Sequence, residues 1–436
     1  MDQAQSAAPG QGALTLKGRY RWTICGLLFA AMVFNYIDRQ MIGVLKPTLQ
    51  KDLGWSEAAY ADIVFWFQAA YALSYLSFGR LIDAVGAKVG YACAFAVWTA
   101  GHMGHALARG VLGFTLARVV LGVGEGGSFP AGLRAVADWF PKRERAFAIG
   151  VLNAGTNIGA IATPLIVPAL TLAFGWRTAF IATGLLSVFW LAAWLVVYRS
   201  PEQHPKVSPA ELAHIRSDPE EPAGKPSWTA LARTPETWAY AIAKFLIDPV
   251  WWMFLFWLPD FLAKRHHLDL KSFGPPLIVI YVVSDFGSVA GGWASSQLMR
   301  RGWSVGAARK TAMLAAALAI LPIVFAANVS QLWLAVALVA LATAAHQWFS
   351  CNLYAFPADV FPRQAVATVS GVGGAAGAVG GMIMSQVVGA ILSKMSDYTP
   401  IFVGSAGMYL IALLAIQVLS PAYAPARPPV VSAGPR

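Results

Sequence analysis

The sequence predicts an all-α membrane protein in which twelve transmembrane helices form two six-helix bundles in a pseudo-two-fold arrangement. Three observations predict this fold class: the composition, the spacing of the apolar segments and an internal repeat. Hydrophobic residues make up 57% of the 436 residues, charged residues only 12%, and the mean hydropathy is +0.57. A soluble protein has no interior large enough for this much apolar surface, so we expect the chain to lie in the lipid bilayer.

The apolar segments are long enough to cross a membrane, which takes about 20 residues in a helix. They are bounded by charged and turn residues, and the first six define an N-terminal bundle at 1–199 while the last six and a tail define a C-terminal bundle at 237–436. The predicted spans are 22–46, 58–79, 88–108, 111–139, 146–171, 178–198, 237–262, 273–299, 310–327, 331–356, 365–392 and 398–420.

The stretch 200–236 between the bundles is charged and rich in proline, which indicates a cytoplasmic linker. Within it, Ser208 is followed by Pro209 and Glu211, the pattern of a helix that starts with a capping box and a proline in its first turn. We therefore expect a short amphipathic surface helix that runs through Ile215.

An internal repeat supports two related bundles. The sequence reads DWFPKRERAFAIG at 138–150 and DVFPRQAVATVSG at 359–371, and the two copies align without a gap at about half the chain length from each other. Both copies begin a connection on the same predicted side. A parallel repeat of this kind is typical of two bundles related about the membrane normal.

The formal net charge of +11 would suggest nucleic acid as a partner if the protein were soluble. The basic residues lie mostly between the apolar segments and are concentrated on one side, which predicts a multi-pass protein with both termini in the cytoplasm. Because the basic residues follow this pattern, we expect no nucleic-acid partner. We also expect no metal and no cofactor, since Cys25, Cys93 and Cys351 lie singly within apolar segments. Because no nucleophile motif or metal spacing is present, we also expect no enzyme activity.

Four ionisable residues fall inside the first predicted bundle: Asp38, Arg39, Arg118 and Glu125. A charge in the hydrocarbon layer costs at least about 2.5–3.5 kcal/mol, so such residues are functional candidates by default. Arg118 and Glu125 are two helical turns apart and share one helix face. Asp38 and Arg39 point about 100° apart, and we expect Arg39 to pair with Glu125 across helices.

These residue types suit an anion that moves with protons. A guanidinium grips a carboxylate by two parallel hydrogen bonds, so Arg118 is the predicted contact for the substrate anion. Buried carboxylates are suited to take up and release protons, so Asp38 and Glu125 are the predicted proton carriers. The alternative is a static ion network that holds the helices in register.

Polar residues recur at helical spacing on several other spans, where they either line a cavity or bond neighbouring helices. Lys244 is expected to pair with Asp248 four residues later, and the tryptophans Trp251 and Trp252 are candidates to stack on a sugar ring or to serve in packing. His346 is a candidate proton carrier or a simple hydrogen-bonded group. The polar stripes include Gln68, Tyr71 and Tyr75; Asn153, Thr156 and Asn157; Tyr281, Ser284, Asp285 and Ser288; and His346, Gln347, Ser350 and Asn352.

The motif GRLIDAVGAK at 79–88 resembles the loop between the second and third spans of the major facilitator superfamily. With NYIDR at 35–39, RVVLGVGEGGSFPAG on the fourth span and WFPKRERAFAIG after it, the chain resembles the anion:cation symporter branch of that superfamily. The segments KFLIDPVWWMFLFWLPDFL at 244–262 and AAHQWFSCNLYAFPADVFPR at 344–363 are most similar to bacterial hexuronate transporters.

This resemblance implies the major facilitator fold and import of glucuronate or galacturonate with protons, by alternating access, across the bacterial inner membrane. It implies proton-linked carboxylates at Asp38 and Glu125, an arginine at Arg39 paired with the latter, and substrate contacts at Arg118 and Tyr71. We expect a monomer that uses protons as its coupling ion. Further substrate contacts are predicted at Arg39, Asn157, Trp252 and Asn352.

The fifth span departs from the pattern of some relatives, which carry glutamine where this chain has NAGTNIG around Asn157. This departure keeps other organic anions open as substrates, namely aldonates, aldarates and aromatic acids. A non-transporting nutrient sensor is a further alternative, although the short linker offers no sizeable output domain.

Overall fold

The computed structural model describes residues 19–217 and 228–423. The helices of the first half are α1 Tyr20–Leu53, α2 Glu57–Gly104, α3 Val111–Gly126, α4 Ser128–Trp139, α5 Lys142–Phe174 and α6 Trp176–Val197. Two short helices follow, α7 Pro209–Ile215 and α8 Trp228–Ala232. The second half contains α9 Pro235–His266, α10 Gly274–Arg300, α11 Val305–Ala319, α12 Leu332–Val360, α13 Arg363–Met395 and α14 Thr399–Leu419, and short 3₁₀ turns lie at His105–Leu107, Pro201–Gln203 and Leu321–Phe325. These elements confirm the predicted all-α class.

Nine helical segments within the described ranges are long and apolar enough to cross a membrane. They are Tyr20–Leu53, Phe147–Phe174, Trp176–Val197, Pro235–His266, Gly274–Arg300, Val305–Phe325, Leu332–Val360, Thr368–Met395 and Thr399–Leu419. The other three predicted spans fall on α2, α3 and α4. The count of twelve spans, the domain boundaries and the side on which the chain ends lie therefore stay predictions.

Two breaks in the helices of the first half lie at glycines. At about 1.5 Å per residue, a straight α2 would be about 72 Å long, more than twice the hydrocarbon thickness. Gly86 lies between the two predicted spans of α2 and has φ 79° and ψ 166°, a conformation that favours glycine and ends the first helical segment. The predicted fourth span is divided at Gly127, three residues before the proline of SFPAG, into α3 and α4.

Small residues let helices within the first half approach closely. A Cβ atom on Gly159 of α5 would lie 2.5 Å from the Val33 carbonyl oxygen of α1, and one on Gly122 of α3 would lie 2.5 Å from the Phe67 carbonyl oxygen of α2. Close backbone packing of this kind is a main source of helix association in lipid, where apolar burial gives little. It fixes α1, which carries two of the predicted site residues, against its neighbours.

The outer surface of the bundle is apolar. Large side chains such as Leu73, Phe189 and Val196 are 70%, 70% and 74% exposed on α2 and α6. In water an apolar surface of this extent would drive association, whereas hydrocarbon solvates it. The exposed helix faces thus support the assignment of a multi-pass membrane protein.

The two halves meet along α2 with α13 and α1 with α9. Hydrogen bonds join them towards the end of the bundle at which α1 terminates. Tyr60 Oη donates to the Phe256 carbonyl oxygen at 2.8 Å, and Ser385 Oγ lies 2.9 Å from Gln68 Oε1. The sequence pattern predicts that this end faces the outside of the cell.

A cluster of four charged residues, here called the α1-end cluster, closes the same end. Lys46 is fully buried and its Nζ atom lies 2.7 Å from Glu57 Oε2 and 2.9 Å from Asp260 Oδ2. Lys264 Nζ lies 2.5 Å from Glu57 Oε1 and 3.0 Å from Asp260 Oδ2. Tyr398 Oη donates to Asp260 at 2.5 Å. Both halves contribute an acid and a base, so the cluster ties them together.

We expect Asp260→Asn to destabilise the folded protein by about 1–3 kcal/mol, because Lys46 then stays buried with one of its two carboxylates lost. The measurement is thermal unfolding of the purified protein in detergent. Asp52→Asn is the matched control, since Asp52 is exposed at the end of α1 and should unfold like the wild type. Equal unfolding temperatures for the two variants would mean that the α1-end cluster contributes nothing to stability.

The predicted linker helix is present as α7 and begins as expected, with Ser208 Oγ accepting a hydrogen bond from the Glu211 amide at 3.2 Å. Its acidic residue does not complete the capping box. Glu211 instead accepts from the Arg21 amide at 3.1 Å and lies 3.3 Å from Arg21 Nη1, so α7 is attached to the start of α1. Residues 218–227 of the predicted linker, 1–18 of the first domain and 424–436 of the tail lie outside the described residues.

Glu144, before the membrane-spanning part of α5, joins the same contact. It lies 2.9 Å from Arg21 Nε and 2.8 Å from His214 Nε2. Burial raises the pKa of Glu144, but hydrogen bonds from Arg21 and His214 outweigh it and leave this pKa below its ordinary value. Because the pKa of Glu144 is lower in the folded state, this carboxylate stabilises the folded protein at pH values above its ordinary pKa. The contribution is lost as the pH falls through the lowered pKa.

Candidate transport site

Asp38 and Arg39 lie midway along α1 and point to different sides of it, as adjacent residues on a helix must. The Asp38 side chain faces α2 and α6 inside the first half. The Arg39 side chain faces α3 and α9, where the two halves meet. The two neighbours therefore belong to two different polar sites.

Arg39 pairs with Glu125, as the sequence predicted. Arg39 Nε lies 2.7 Å from Glu125 Oε2, and Arg39 Nη2 donates to Asn35 Oδ1 at 3.1 Å. Both charged side chains are almost fully buried, and the second carboxylate oxygen of Glu125 has no hydrogen-bond partner. A charge-assisted bond this short in an apolar layer locks both groups while Glu125 stays ionised.

Three aromatic rings surround the Arg39 guanidinium, and we call Tyr36, Tyr71 and Trp252 the aromatic cage. The Arg39 Cζ atom lies 5.1, 5.0 and 5.1 Å from their ring centroids, in that order. Cation–π contacts hold a desolvated guanidinium in place without neutralising it. Tyr36 and Tyr71 come from the first half and Trp252 from the second, so the cage spans the interface between halves.

Arg118 lies beside this pair but has no acidic partner of its own. It is 1% exposed, its two Nη atoms reach the Arg39 carbonyl oxygen at 3.4 and 3.3 Å, and Nε has no hydrogen-bond partner. The rings of Phe67 and Phe256 pack on it, at 4.2 and 5.4 Å from Cζ. Among the described residues no carboxylate oxygen lies within 4.0 Å of Arg118. A buried cation without a counter-ion favours an anion in its vicinity.

Asp38 is enclosed by polar side chains of the first half. Its Oδ2 atom accepts from Trp98 Nε1 at 3.1 Å and lies 3.4 Å from Ser187 Oγ, while His102 Nε2 lies 3.3 Å from Oδ1. Because these contacts all come from α2 and α6 of the first half, Asp38 does not line the interface between the halves. Sequence reasoning missed His102, although GHMGH at 101–105 places two histidines in an apolar span and was the signal available.

The second half contains the predicted Lys244–Asp248 pair. Lys244 Nζ lies 2.8 and 2.7 Å from the two Asp248 carboxylate oxygens and 2.8 Å from Tyr354 Oη. Unlike Arg118, this buried cation is fully balanced by its own acid. Asp248 neutralises Lys244, so no substrate anion is required to balance this buried cation.

The remaining predicted contacts differ in position. Asn157 is partly exposed and lies seven residues before Pro164, so the two share a face of α5. That face meets the second half, since a Cβ atom on Gly274 would lie 3.5 Å from the Pro164 carbonyl oxygen. Asn157 thus lies on the face of α5 that meets α10 of the second half, and its Oδ1 atom accepts from Thr156 Oγ1 at 3.3 Å.

Asn352 lies within the second half instead. Its Nδ2 atom donates to the carbonyl oxygens of Gly291 at 3.2 Å and Trp348 at 2.9 Å, and its Oδ1 atom accepts from Arg309 Nη1 at 3.2 Å. Asn352 is fully buried, and these bonds engage both of its polar atoms. Asn352 therefore joins neighbouring helices, which is the alternative interpretation of the polar stripes. We leave it out of the site proposed below.

His346 and Trp251 also belong to a packed network. The His346 ring stacks on Trp251 with centroids 5.2 Å apart, and His346 Nδ1 lies 2.6 Å from Tyr409 Oη. No carboxylate oxygen among the described residues lies within 4.0 Å of His346. Trp251 therefore packs against a side chain, while its neighbour Trp252 lies in the aromatic cage.

Taken together, Arg39, Glu125, Arg118, Tyr71 and Trp252 form one buried site where the halves meet, with one more cation than acid. No group of three or more histidine, cysteine or acidic residues suited to a metal ion occurs in the described parts of the chain. The fold and this site define a class of protein, a multi-pass membrane transporter with its polar site at the junction of two helical bundles.

The family follows from comparison with known proteins. The sequence model of the Major Facilitator Superfamily matches residues 28–385, and the chain belongs to this superfamily. A bacterial homologue of the human lysosomal transporter Spinster, solved in an inward-facing and occupied conformation, matches with a TM-score of 0.69 over 93% of this chain and 96% of that one. At 18% identity this likeness shows the fold alone. The chain is thus a transporter rather than an enzyme.

Curated relatives have sugar acids in their names. The hexuronate transporter of Escherichia coli (strain K12) is 30% identical over 403 residues, covering 91% of this chain and 93% of the relative. The galacturonate transporter of Dickeya chrysanthemi is 34% identical over 278 residues, 63% of this chain and 81% of the relative. The D-galactonate transporter of Escherichia coli O6:H1 is 27% identical and covers 92% of this chain and 96% of the relative.

Proposed function

We propose that this protein imports a hexuronate, glucuronate or galacturonate, together with protons across the bacterial inner membrane by alternating access. It acts as a monomer, with both termini in the cytoplasm and with protons as its coupling ion. The hexuronate and galacturonate transporters among its relatives support the substrate class. The buried charges of the first half support an anion as cargo.

The observation that carries the proposal is that Arg118 is buried without a neighbouring carboxylate to neutralise it. A guanidinium buried among Phe67 and Phe256, with no carboxylate of the described chain within 4.0 Å, is costly until an anion approaches. The carboxylate of a sugar acid supplies that charge and accepts two parallel hydrogen bonds from the fork. Arg118 therefore selects for a carboxylate.

The aromatic cage contributes the contact with the sugar. Trp252 and Tyr71 come from opposite halves and lie with ring centroids 5.8 Å apart, so a ring bound beside them touches both halves. Such a substrate has different contacts when the halves rock apart at one end or the other, which is the requirement for a ligand to drive alternating access. Asn157 adds a hydroxyl contact from the interface face of α5.

The Arg39–Glu125 pair supports proton coupling. When Glu125 takes up a proton, Arg39 loses its counter-ion, and the two guanidiniums beside each other then favour an anion more strongly. Substrate binding in turn favours the protonated form of Glu125, because coupling between two ligands is reciprocal. Asp38 is the second proton-carrying carboxylate and acts from within the first half.

The direct test is counterflow exchange of labelled galacturonate in proteoliposomes that contain the purified protein. We expect exchange that unlabelled glucuronate and galacturonate suppress, and weaker suppression by galactonate. Suppression by galactonate or by galactarate alone would assign the aldonate or aldarate alternative, for which the D-galactonate transporter and a probable galactarate/D-glucarate transporter of Bacillus subtilis are relatives. Absence of exchange with every sugar acid would overturn the proposal.

A further inference from the structure

The Asp38 carboxylate is not exposed at the interface between the halves, so a coupling proton cannot reach it directly from there. Asp38 is 1% exposed and points away from Arg39 and the aromatic cage. Trp98 Nε1 at 3.1 Å and Ser187 Oγ at 3.4 Å both lie against its Oδ2 atom. Neither an indole nor a hydroxyl takes up a proton near neutral pH, so these neighbours hold the carboxylate but do not supply it.

His102 is the titratable side chain that meets the other carboxylate oxygen. Its Nε2 atom lies 3.3 Å from Asp38 Oδ1 and 2.7 Å from Thr183 Oγ1. His102 is fully buried, and its Nδ1 atom has no hydrogen-bond partner. Asp38 Oδ1 has no hydrogen-bond partner, so Nε2 lies beside the carboxylate while its hydrogen bond is made to Thr183. An imidazole with one nitrogen beside a carboxylate and the other free is placed to pass a proton through the ring.

The hydrogen bonds around Thr183 indicate where the proton of His102 lies. Thr183 Oγ1 lies 2.9 Å from the carbonyl oxygen of Ala179, to which its hydroxyl donates. The same oxygen then accepts from His102, which places the hydrogen on Nε2, the nitrogen nearest Asp38. The lone pair on Nδ1 is left free to receive a proton.

Two other ionisable groups act on His102. His105 follows one turn later, donates from Nδ1 to the His102 carbonyl oxygen at 3.1 Å, and has no partner at its own Nε2 atom. Arg118, on α3, is the cation that repels a positive charge on His102. Burial and this repulsion both disfavour an imidazolium at His102, so a proton that binds there passes to the nearest base, Asp38.

We propose that His102 relays the coupling proton onto Asp38, an inference that rests on the proton coupling proposed above. A proton binds to Nδ1, the Nε2–H group turns from Thr183 Oγ1 towards Asp38 Oδ1, which lies 3.3 Å from Nε2, and the N–H bond breaks as its hydrogen joins Oδ1. The ring ends neutral with its proton on Nδ1, and the carboxylate ends as the neutral acid, so charge and atoms balance.

The test is His102→Gln in proteoliposomes, with substrate accumulation under an imposed pH difference measured beside counterflow exchange. A one-unit pH difference is worth about 1.36 kcal/mol, or tenfold accumulation for one proton per substrate. We expect the wild type to approach this ratio, and His102→Gln to fall to equal concentrations inside and outside while exchange continues. His346→Gln is the matched control, a buried histidine without a carboxylate neighbour, and should accumulate like the wild type.

Accumulation by His102→Gln at the wild-type ratio would refute the relay and leave the proposed function intact. A wild type that exchanges substrate but never responds to the pH difference would refute the coupling itself. If His102→Gln fails to fold, Thr183→Val provides the test, since it removes the hydrogen-bond partner of His102 Nε2 but keeps the imidazole ring. We then expect the pH profile of exchange to shift, and an unchanged profile would overturn the relay.

Discussion

Glu125→Gln is expected to abolish uphill accumulation of substrate while leaving exchange down a gradient. Glutamine has the shape of the protonated acid but never releases a proton, so Arg39 permanently loses the negative charge 2.7 Å from its Nε atom and binding is uncoupled from pH. The accumulation ratio under a one-unit pH difference should fall from roughly tenfold towards one. The measurement is labelled uptake into proteoliposomes with the membrane potential clamped, beside counterflow in the same preparation.

Glu211→Gln provides a control of matched chemistry. Glu211 is also a buried glutamate bound to an arginine, Arg21, but it lies on α7 outside the membrane-spanning helices. Its variant should accumulate substrate normally. If Glu125→Gln also accumulates normally, Glu125 does not carry the coupling proton, and the Arg39–Glu125 pair is the static ion network considered from the sequence.

Arg118→Lys is expected to weaken substrate binding by about 2 kcal/mol, or roughly thirtyfold in Kd, although the positive charge is kept. A lysine ammonium is a point charge and cannot offer the two parallel N–H groups that match a carboxylate. It is also unable to reproduce the flat contact with Phe67, 4.2 Å from Cζ. Titration of the purified protein with galacturonate by calorimetry measures the change.

Arg265→Lys is the matched control for this variant. Arg265 also donates to carbonyl oxygens, those of Ala327 at 2.6 Å and Asn328 at 3.2 Å, but it lies at the end of α9. We expect its affinity for substrate to equal that of the wild type. Equal affinity in Arg118→Lys would place the substrate carboxylate elsewhere, with Arg39 as the next candidate.

Local patterns sufficed for much of the fold. Apolar length located the helices, and the spacing of four residues identified the Lys244–Asp248 pair. The Arg39–Glu125 pair was also predictable, because few buried charges in the first half had to balance one another. The break at Gly86 lies in the loop predicted between the spans 58–79 and 88–108, whereas the break at Gly127 divides a single predicted span.

The remaining parts of the site depend on contacts between distant residues. Lys46 ends a predicted span, and nothing local shows that its partner is Asp260, more than 200 residues later. Hydropathy also cannot distinguish a polar residue that faces a cavity from one that bonds a helix, as with Asn352. His102 was missed because a neutral histidine does not disturb an apolar run in the way a charged residue does.

The most direct test of the central claim is a proton measurement rather than a flux. The claim is that an anion binds beside Arg118 and that its binding favours the protonated form of a buried carboxylate. Galacturonate added to the purified wild-type protein in weakly buffered detergent solution near neutral pH should raise the pH of the medium, as the protein takes up protons on binding. The claim would be contradicted if calorimetry shows saturable binding of galacturonate but no proton uptake at any pH from about 6 to 8.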